Sequence, residues 1–166
     1  MHVYCLYCQT QRCKTIANLL QIQGIQRAFA PQIMQKQRKE GKNETIFRDL
    51  LPGYVFFFHD EPLESYQLYE HSINGIVRRI GRADEEYELQ GPDREFALNL
   101  YEKNGLVGTM KIVKIGETVT LDDPLFNNCQ GKITAIDYRK ERARVDFVFN
   151  NTACHTWIAI ESVKGE

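Results

Sequence analysis

Two cysteines near the start of the chain, Cys5 and Cys8, have the spacing most suggestive of a reactive site. A Cys-x-x-Cys pair can hold a metal ion or form a redox-active disulfide. On a strand, however, residues three apart point to opposite faces, so both thiols could bind one metal only at a bend. No second pair follows, and no phosphate-binding glycine loop, nucleophile elbow or His-Glu-x-x-His motif is present. We therefore predict packed thiols, no metal, no cofactor and no enzyme.

A second group with chemical potential is the basic cluster from Arg139 to Arg144, which contains one acid, Glu141. If a strand follows this cluster, Ala143 and Val145 point inward, while Arg142 and Arg144 point outward. A solvated turn is the ordinary interpretation of such a cluster. A basic hairpin on a small barrel is also a common way to hold a nucleic-acid backbone. The pattern leaves both interpretations open.

Aromatic residues crowd a third segment, the apolar run over residues 54–58. On a strand, Tyr54 and Phe56 share one face and Val55 and Phe57 share the other, so both faces are apolar. If helices cover one face only, the other must meet a partner or a second covering layer, and the pattern supports both equally. The single tryptophan, Trp157, is predicted to lie in the core.

The elements that position these groups follow from the hydrophobic period. Up to residue 104 the order is β-α-β, a hairpin, then β-α-β-α, which fits a small sheet with helices on one face. The predicted segments are strands 2–8, 25–30, 54–58 and 75–80, a basic hairpin over 32–49, and helices over 10–23, 62–73 and from 92 onward.

The composition changes after Asn104, where brief alternating segments replace the helical period. Short strands separated by turn residues suggest a small barrel. The predicted strands cover residues 118–121, 131–136, 143–149 and 155–160. We accordingly predict a first domain over 1–104, a short linker over 105–112 and a second domain over 113–166.

Overall composition excludes several classes of protein. The 166 residues carry a formal net charge of −1, so any nucleic-acid binding must come from a local patch. No apolar window reaches the roughly 18 residues that a membrane helix needs. The start of the chain lacks the pattern of a signal peptide, and five cysteines are an odd count. We expect a cytoplasmic monomer with reduced thiols.

Three segments together resemble the NusG family of transcription elongation factors. They are the strand Tyr4–Cys8, the run Leu-Leu-Pro-Gly-Tyr-Val-Phe over 50–56, and Asp-Asp-Pro-Leu-Phe over 122–126 with its continuation over 131–138. The resemblance covers nearly the whole chain. It implies an α+β protein with a ferredoxin-like N-terminal (NGN) domain, followed by an SH3-like KOW barrel.

In that family an apolar face of the first domain docks on the clamp helices of RNA polymerase, which reduces pausing. By resemblance, the residues of this face are Tyr7, Pro52, Tyr54, Phe56 and Ile80.

Two departures from the housekeeping pattern resemble specialised LoaP-type paralogues. Asp123 stands where housekeeping members usually have glycine, and the last hairpin, over 150–155, lacks their usual loop. In that branch the KOW module is implicated in binding a structured hairpin of nascent RNA, and the resemblance implies antitermination. The RNA-binding residues would be Lys111, Lys114, Lys132, Arg139, Lys140, Arg142, Arg144 and Lys164.

Two alternatives remain open at this point. One is a general NusG-like factor whose barrel binds Rho or ribosomal protein and not RNA. The other is a scaffold without polymerase contact. Contact with non-template DNA is also left open.

Overall fold

The computed structural model describes residues 1–63, 73–81 and 87–163, which divide into two units. Met1–Pro31 and Leu51–Gly105 form the first unit, and Gln32–Leu50 and Leu106–Glu166 form the second. The helix predicted over 62–73 falls almost entirely outside the described residues. In chain order the elements are β1 His2–Cys8, α1 Cys13–Ile22, β2 Arg27–Phe29, β3 Gln32–Lys39, β4 Lys42–Asp49, β5 Tyr54–His59, β6 Ile76–Arg79, α2 Gly91–Glu102, β7 Leu106–Val107, β8 Met110–Ile115, β9 Thr118–Leu121, β10 Lys132–Asp137, β11 Arg142–Phe149 and β12 Thr152–Val163.

An antiparallel sheet of order β2-β5-β1-β6 forms the centre of the first unit. The pairing of β1 with β5 runs from His2 opposite His59 to Tyr7 opposite Tyr54. Both strands are runs of apolar and aromatic residues, and such runs suit strands that are buried on two faces. The strands predicted over 2–8, 54–58 and 75–80 are confirmed as β1, β5 and β6.

Helices cover both faces of this sheet. On one face, α1 buries Ile16 and Leu20 in a cluster with Leu6, Val55 and Phe57. On the other face α2 packs its own aromatic residues, as Phe96 lies 6.4 Å from Phe56 and Tyr101 lies 4.9 Å from Phe58 between ring centroids. The prediction of helices on one face only was therefore wrong. The packing of β5 against α2, some forty positions later in the chain, could not be inferred from either segment alone.

The second unit contains a five-stranded sheet of order β10-β11-β12-β8-β9, in which β9 approaches β10 and nearly closes a barrel. Its central strand alternates as predicted, with Ala143, Val145, Phe147 and Phe149 buried. A separate three-stranded sheet has the order β4-β3-β7 and contains the predicted basic hairpin. Residues 105–112, predicted as a linker, include β7 and the start of β8. The domain bounds given above stay a prediction.

The Asp-Pro-Leu-Phe segment forms a short 3-10 helix, Pro124–Cys129, which buries Leu125, Phe126 and Cys129. The Asp123 carboxylate accepts a hydrogen bond from the Leu125 backbone N–H at 2.9 Å, and this contact caps the helix. The Phe126 ring packs 5.1 Å from that of Phe147. A side chain at Gly131 would bring its Cβ within 2.3 Å of Phe126 Cβ, so glycine is required there.

Candidate functional site

Two tyrosines and a tight turn form an apolar surface at one end of the first sheet. Tyr7 and Tyr54 are opposite each other in register, and their rings meet edge to face with centroids 5.3 Å apart. Both are half-buried, and Pro52 in the preceding turn is exposed. Gly53 has φ +92°, and a Cβ there would lie 2.8 Å from the Tyr7 ring. The turn thus lies directly against Tyr7, and we call Tyr7, Pro52 and Tyr54 the tyrosine patch.

An arginine that the sequence analysis missed borders the tyrosine patch. Arg78 on β6 is paired with Tyr7, and its guanidinium carbon lies 5.6 Å from the centre of the Tyr7 ring. Its side chain is exposed and forms no ion pair with any described residue. A bulge at Tyr7/Cys8 leaves the neighbouring Val77 55% exposed. Two adjacent arginines on a strand were the signal, since neighbouring strand residues point to opposite faces and both faces of a strand are seldom able to bury a cation.

Two residues predicted to dock on polymerase are core residues instead. Phe56 is 0% exposed and Ile80 is 1% exposed. Phe56 packs against Phe29 and Phe96, each at 6.4 Å between ring centroids. A side chain that has no accessible surface cannot contact a partner without unfolding its surroundings, so the assignment of these two residues to a docking face was wrong. The face is apolar along its whole length, but α2 covers the part around Phe56.

The thiols of the Cys-x-x-Cys pair are buried and protonated. Burial raises the pKa of Cys5 well above its ordinary value and that of Cys8 to about 12. Since the thiolate is the reactive form of cysteine, neither side chain is a nucleophile at neutral pH.

The described part of the chain offers neither a cluster of metal ligands nor a membrane-spanning helix. Over 1–63, 73–81 and 87–163, no group of three or more His, Cys, Asp or Glu side chains is placed to hold a metal ion. None of the helices in this part of the chain combines the length and the apolar character that crossing a membrane requires.

The turn between β10 and β11 carries the predicted basic tip. Arg139 is exposed and Lys140 is half-buried. The Asp137 carboxylate accepts a hydrogen bond from the Lys140 backbone N–H at 3.0 Å, so this acid stabilises the turn. Glu141 takes the left-handed conformation at φ +51°.

The outward-facing arginines of β11 are partly engaged within the protein. The guanidinium of Arg142 stacks 4.2 Å from the centre of the Trp157 ring, and its Nε is buried without an acceptor among the described residues. Arg144 Nε donates to Asp146 Oδ1 at 3.1 Å, in a half-exposed ion pair. Trp157 is half-buried on this outer face and directly opposite Arg144, so its predicted place in the core was wrong. Surface pairs of this kind are weak and can exchange partners.

The β3–β4 hairpin contacts the β10–β11 turn within the second unit. Glu141 Oε2 accepts hydrogen bonds from Asn43 Nδ2 at 2.8 Å and from Lys36 Nζ at 3.1 Å. These two donors hold the pKa of Glu141 below its ordinary value. Gln35 Nε2 donates to the Trp157 carbonyl oxygen at 2.6 Å. The two hairpins are therefore joined at Glu141 and Trp157.

The remaining predicted RNA-binding lysines are dispersed. Lys111, Lys114 and Lys132 are exposed, on β8 and β10. Lys132 is opposite Asp146 in register, and that acid already receives the Arg144 hydrogen bond. Lys164 lies outside the described residues. The basic group that the structure brings together is thus the β10–β11 turn with its neighbouring arginines.

Comparisons with known proteins agree with one another. The family described as "Transcription termination factor nusG" matches residues 1–97. The chain is 28% identical over 112 residues to the "Transcription termination/antitermination protein NusG" of Rickettsia prowazekii, covering 64% of this chain and 56% of that relative. It is 24% identical to the Rickettsia conorii protein of the same name, covering 76% and 66%. The alignments thus span about three fifths of these relatives' length.

A solved structure shares the fold over almost the whole chain. It is described as "Domain interaction in Thermotoga maritima NusG" and superposes with a TM-score of 0.54 at 14% identity. The match covers 95% of this chain and 93% of that one.

Proposed function

The chain belongs to the NusG family, whose members are transcription factors and not enzymes, and from this premise we propose that it binds RNA polymerase through its NGN unit and nascent structured RNA through its KOW unit. In this proposal the protein acts as a processive antiterminator of the LoaP type. The docking function is assigned to residues 1–104 and the RNA-binding function to residues 113–166.

The observation that carries the docking proposal is the tyrosine patch, since it leaves aromatic surface uncovered on an otherwise sealed sheet. Exposed aromatic rings that are held rigidly are typical of the residues that dominate protein interfaces. Tyr7 is fixed by Tyr54 and by the Gly53 turn, so little side-chain entropy would be lost on binding. The clamp helices of RNA polymerase are the occupant that we propose for this surface.

Arg78 would add a charge-dependent contribution to the same contact. Its guanidinium lies over Tyr7 and forms no ion pair within the described part of the chain, which leaves it available to a carboxylate on the partner. We expect Arg78→Glu to weaken polymerase binding about tenfold, because like charges across an interface are strongly unfavourable. Arg78→Lys keeps the charge and should retain most of the affinity. Biolayer interferometry with cognate core polymerase at two salt concentrations would measure both, and equal affinities would exclude Arg78 from the interface.

The RNA proposal is supported by the charge distribution around the β10–β11 turn. The nearby acids are already engaged within the protein, as Asp137 accepts from a backbone N–H and Glu141 accepts from Lys36 and Asn43. The side chains of Arg139 and Lys140 form no ion pair with any described residue. A-form RNA hides its base edges in a narrow groove, so a small barrel would contact its phosphates and its shape.

We expect the double substitution Arg139→Ala with Lys140→Ala to weaken RNA binding about tenfold at 0.1 M salt. The magnitude of the slope of log K against log salt should fall by about 1.5, since each lost phosphate contact accounts for roughly 0.7–0.9. The measurement is fluorescence anisotropy with a labelled pool of RNA hairpins that have randomised loops. Lys14→Ala, an exposed lysine on α1, is the control and should change neither quantity. An unchanged affinity and slope in the double variant would instead favour a barrel that binds protein, such as Rho or ribosomal protein.

A further inference from the structure

We propose that the tip of the β3–β4 hairpin is a second part of the RNA-binding surface, so that one RNA hairpin is held by two protein hairpins at once. This inference rests on the proposed RNA-binding function and extends it to residues Arg38, Lys39 and Lys42. The chemical class recognised is the phosphate backbone of structured RNA.

Hydrogen bonds connect the two protein hairpins. Glu141, in the β10–β11 turn, receives hydrogen bonds from Lys36 on β3 and Asn43 on β4. A single carboxylate therefore bridges both strands of the β3–β4 hairpin. Lys39 is three residues beyond Lys36, which along a strand corresponds to about 10 Å. Asn43, next to Lys42, contacts Glu141 itself, so the base of the tip lies beside the turn, and both can act on one polyanion.

Three cations at the hairpin tip form no ion pair with any described residue. Lys39 and Lys42 are directly opposite each other in register, at the end of the hairpin. Like charges directly opposite each other destabilise a strand pair. Arg38, Lys39 and Lys42 are all exposed, and none of them forms an ion pair with a described residue. Lys36 differs, because Glu141 neutralises it. The tip also contains Glu40 and Glu44, so residues 38–44 hold three cations and two acids, a net charge of +1. The three cations have no ion-pair partner among the described residues and can therefore bind an external anion.

A cleft lies between the two protein hairpins. A cleft of about 390 Å³ is open to solvent and is lined by Lys36, Thr109, Tyr138, Glu141, Ile160 and Glu161. Its acidic walls make it unsuitable for a phosphate. The RNA backbone would accordingly cross the rim, where Arg139 and the hairpin tip are exposed, and would not enter the cleft.

The test compares two variants of the full chain. The first replaces Arg38, Lys39 and Lys42 with glutamine, and the second is the double alanine variant of Arg139 and Lys140. Each is titrated over a range of potassium chloride concentrations with the randomised-loop RNA hairpins and with DNA hairpins of matched sequence. Lys14→Gln is the control. Melting temperatures are measured without nucleic acid.

The tip variant is expected to bind RNA at least tenfold more weakly than the parent chain. The magnitude of its salt slope should fall by about 2.4, since each of three lost phosphate contacts accounts for roughly 0.7–0.9. Its melting temperature should stay the same or rise, because the Lys39–Lys42 repulsion is removed. A lower melting temperature together with unchanged RNA affinity would mean that the tip is structural and would overturn the inference.

Three other results would contradict the inference, and one of them would also contradict the proposed function. If the turn variant loses RNA binding while the tip variant does not, the second surface is refuted and the proposed function stands. If neither variant changes RNA affinity, the proposed RNA binding fails and the inference fails with it. If the tip variant lost affinity for the DNA hairpins and kept its affinity for the RNA hairpins, the tip would contact DNA, and its assignment to RNA would be overturned.

Discussion

Phe56→Ala is expected to lower the free energy of unfolding by about 3–5 kcal/mol, the usual cost of removing a fully buried phenylalanine. Phe56 is 0% exposed and packs between Phe29 and Phe96, so a cavity would remain after truncation. Urea denaturation followed by far-UV circular dichroism would measure this change. A loss of this size approaches the whole stability of many domains, so this variant cannot be used to test polymerase docking.

Phe47→Ala provides the matched control for this experiment. Phe47 is 53% exposed on β4, so the same substitution should cost far less than it does at Phe56. If Phe56→Ala were as stable as the parent chain and yet failed to bind polymerase, the burial of Phe56 would not describe the protein in solution, and its assignment to the docking face would be restored.

Tyr7→Ala is expected to weaken binding to RNA polymerase about 30-fold, which corresponds to about 2 kcal/mol for the loss of a central aromatic anchor. The Tyr7 ring is half-buried and meets Tyr54 edge to face, so truncation removes partner-facing surface while most of the core remains. Co-purification with cognate core polymerase gives a first result, and a titration gives the dissociation constant.

Two controls separate docking from folding in this case. Tyr7→Phe keeps the ring and should bind within about twofold of the parent chain, because only the hydroxyl is lost. Tyr138→Ala removes a tyrosine that is 60% exposed in the second unit, and it should leave polymerase affinity unchanged. Full polymerase binding by a folded Tyr7→Ala variant would contradict the proposed docking surface.

Several elements were predictable from the sequence because their determinants are local. The apolar runs of β1 and β5 specify strands, the Lys-Glu-Gly-Lys turn specifies the hairpin over 32–49, and the alternation around Val145 specifies which residues of β11 point inward. The family resemblance also depended on local features, since Pro52-Gly53 forms a turn and Asp123 caps a short helix. Each signal lies within a few residues of the feature that it predicts.

What could not be predicted depends on contacts between distant parts of the chain. Whether Phe56 is core or surface depends on α2, which lies some forty residues further on. The contact between Lys36 and Glu141 joins residues 105 positions apart, and Trp157 lies on the outer face of its sheet beneath Arg142.

The sequence by itself therefore determined most of the strands, the inward or outward direction of the β11 side chains, and the family. Which apolar surface stays open, and which cations have no internal acid partner, was decided only by the tertiary structure. The physical reason is that burial and charge compensation depend on neighbours in space, whereas hydrophobic period and turn chemistry depend on neighbours in sequence.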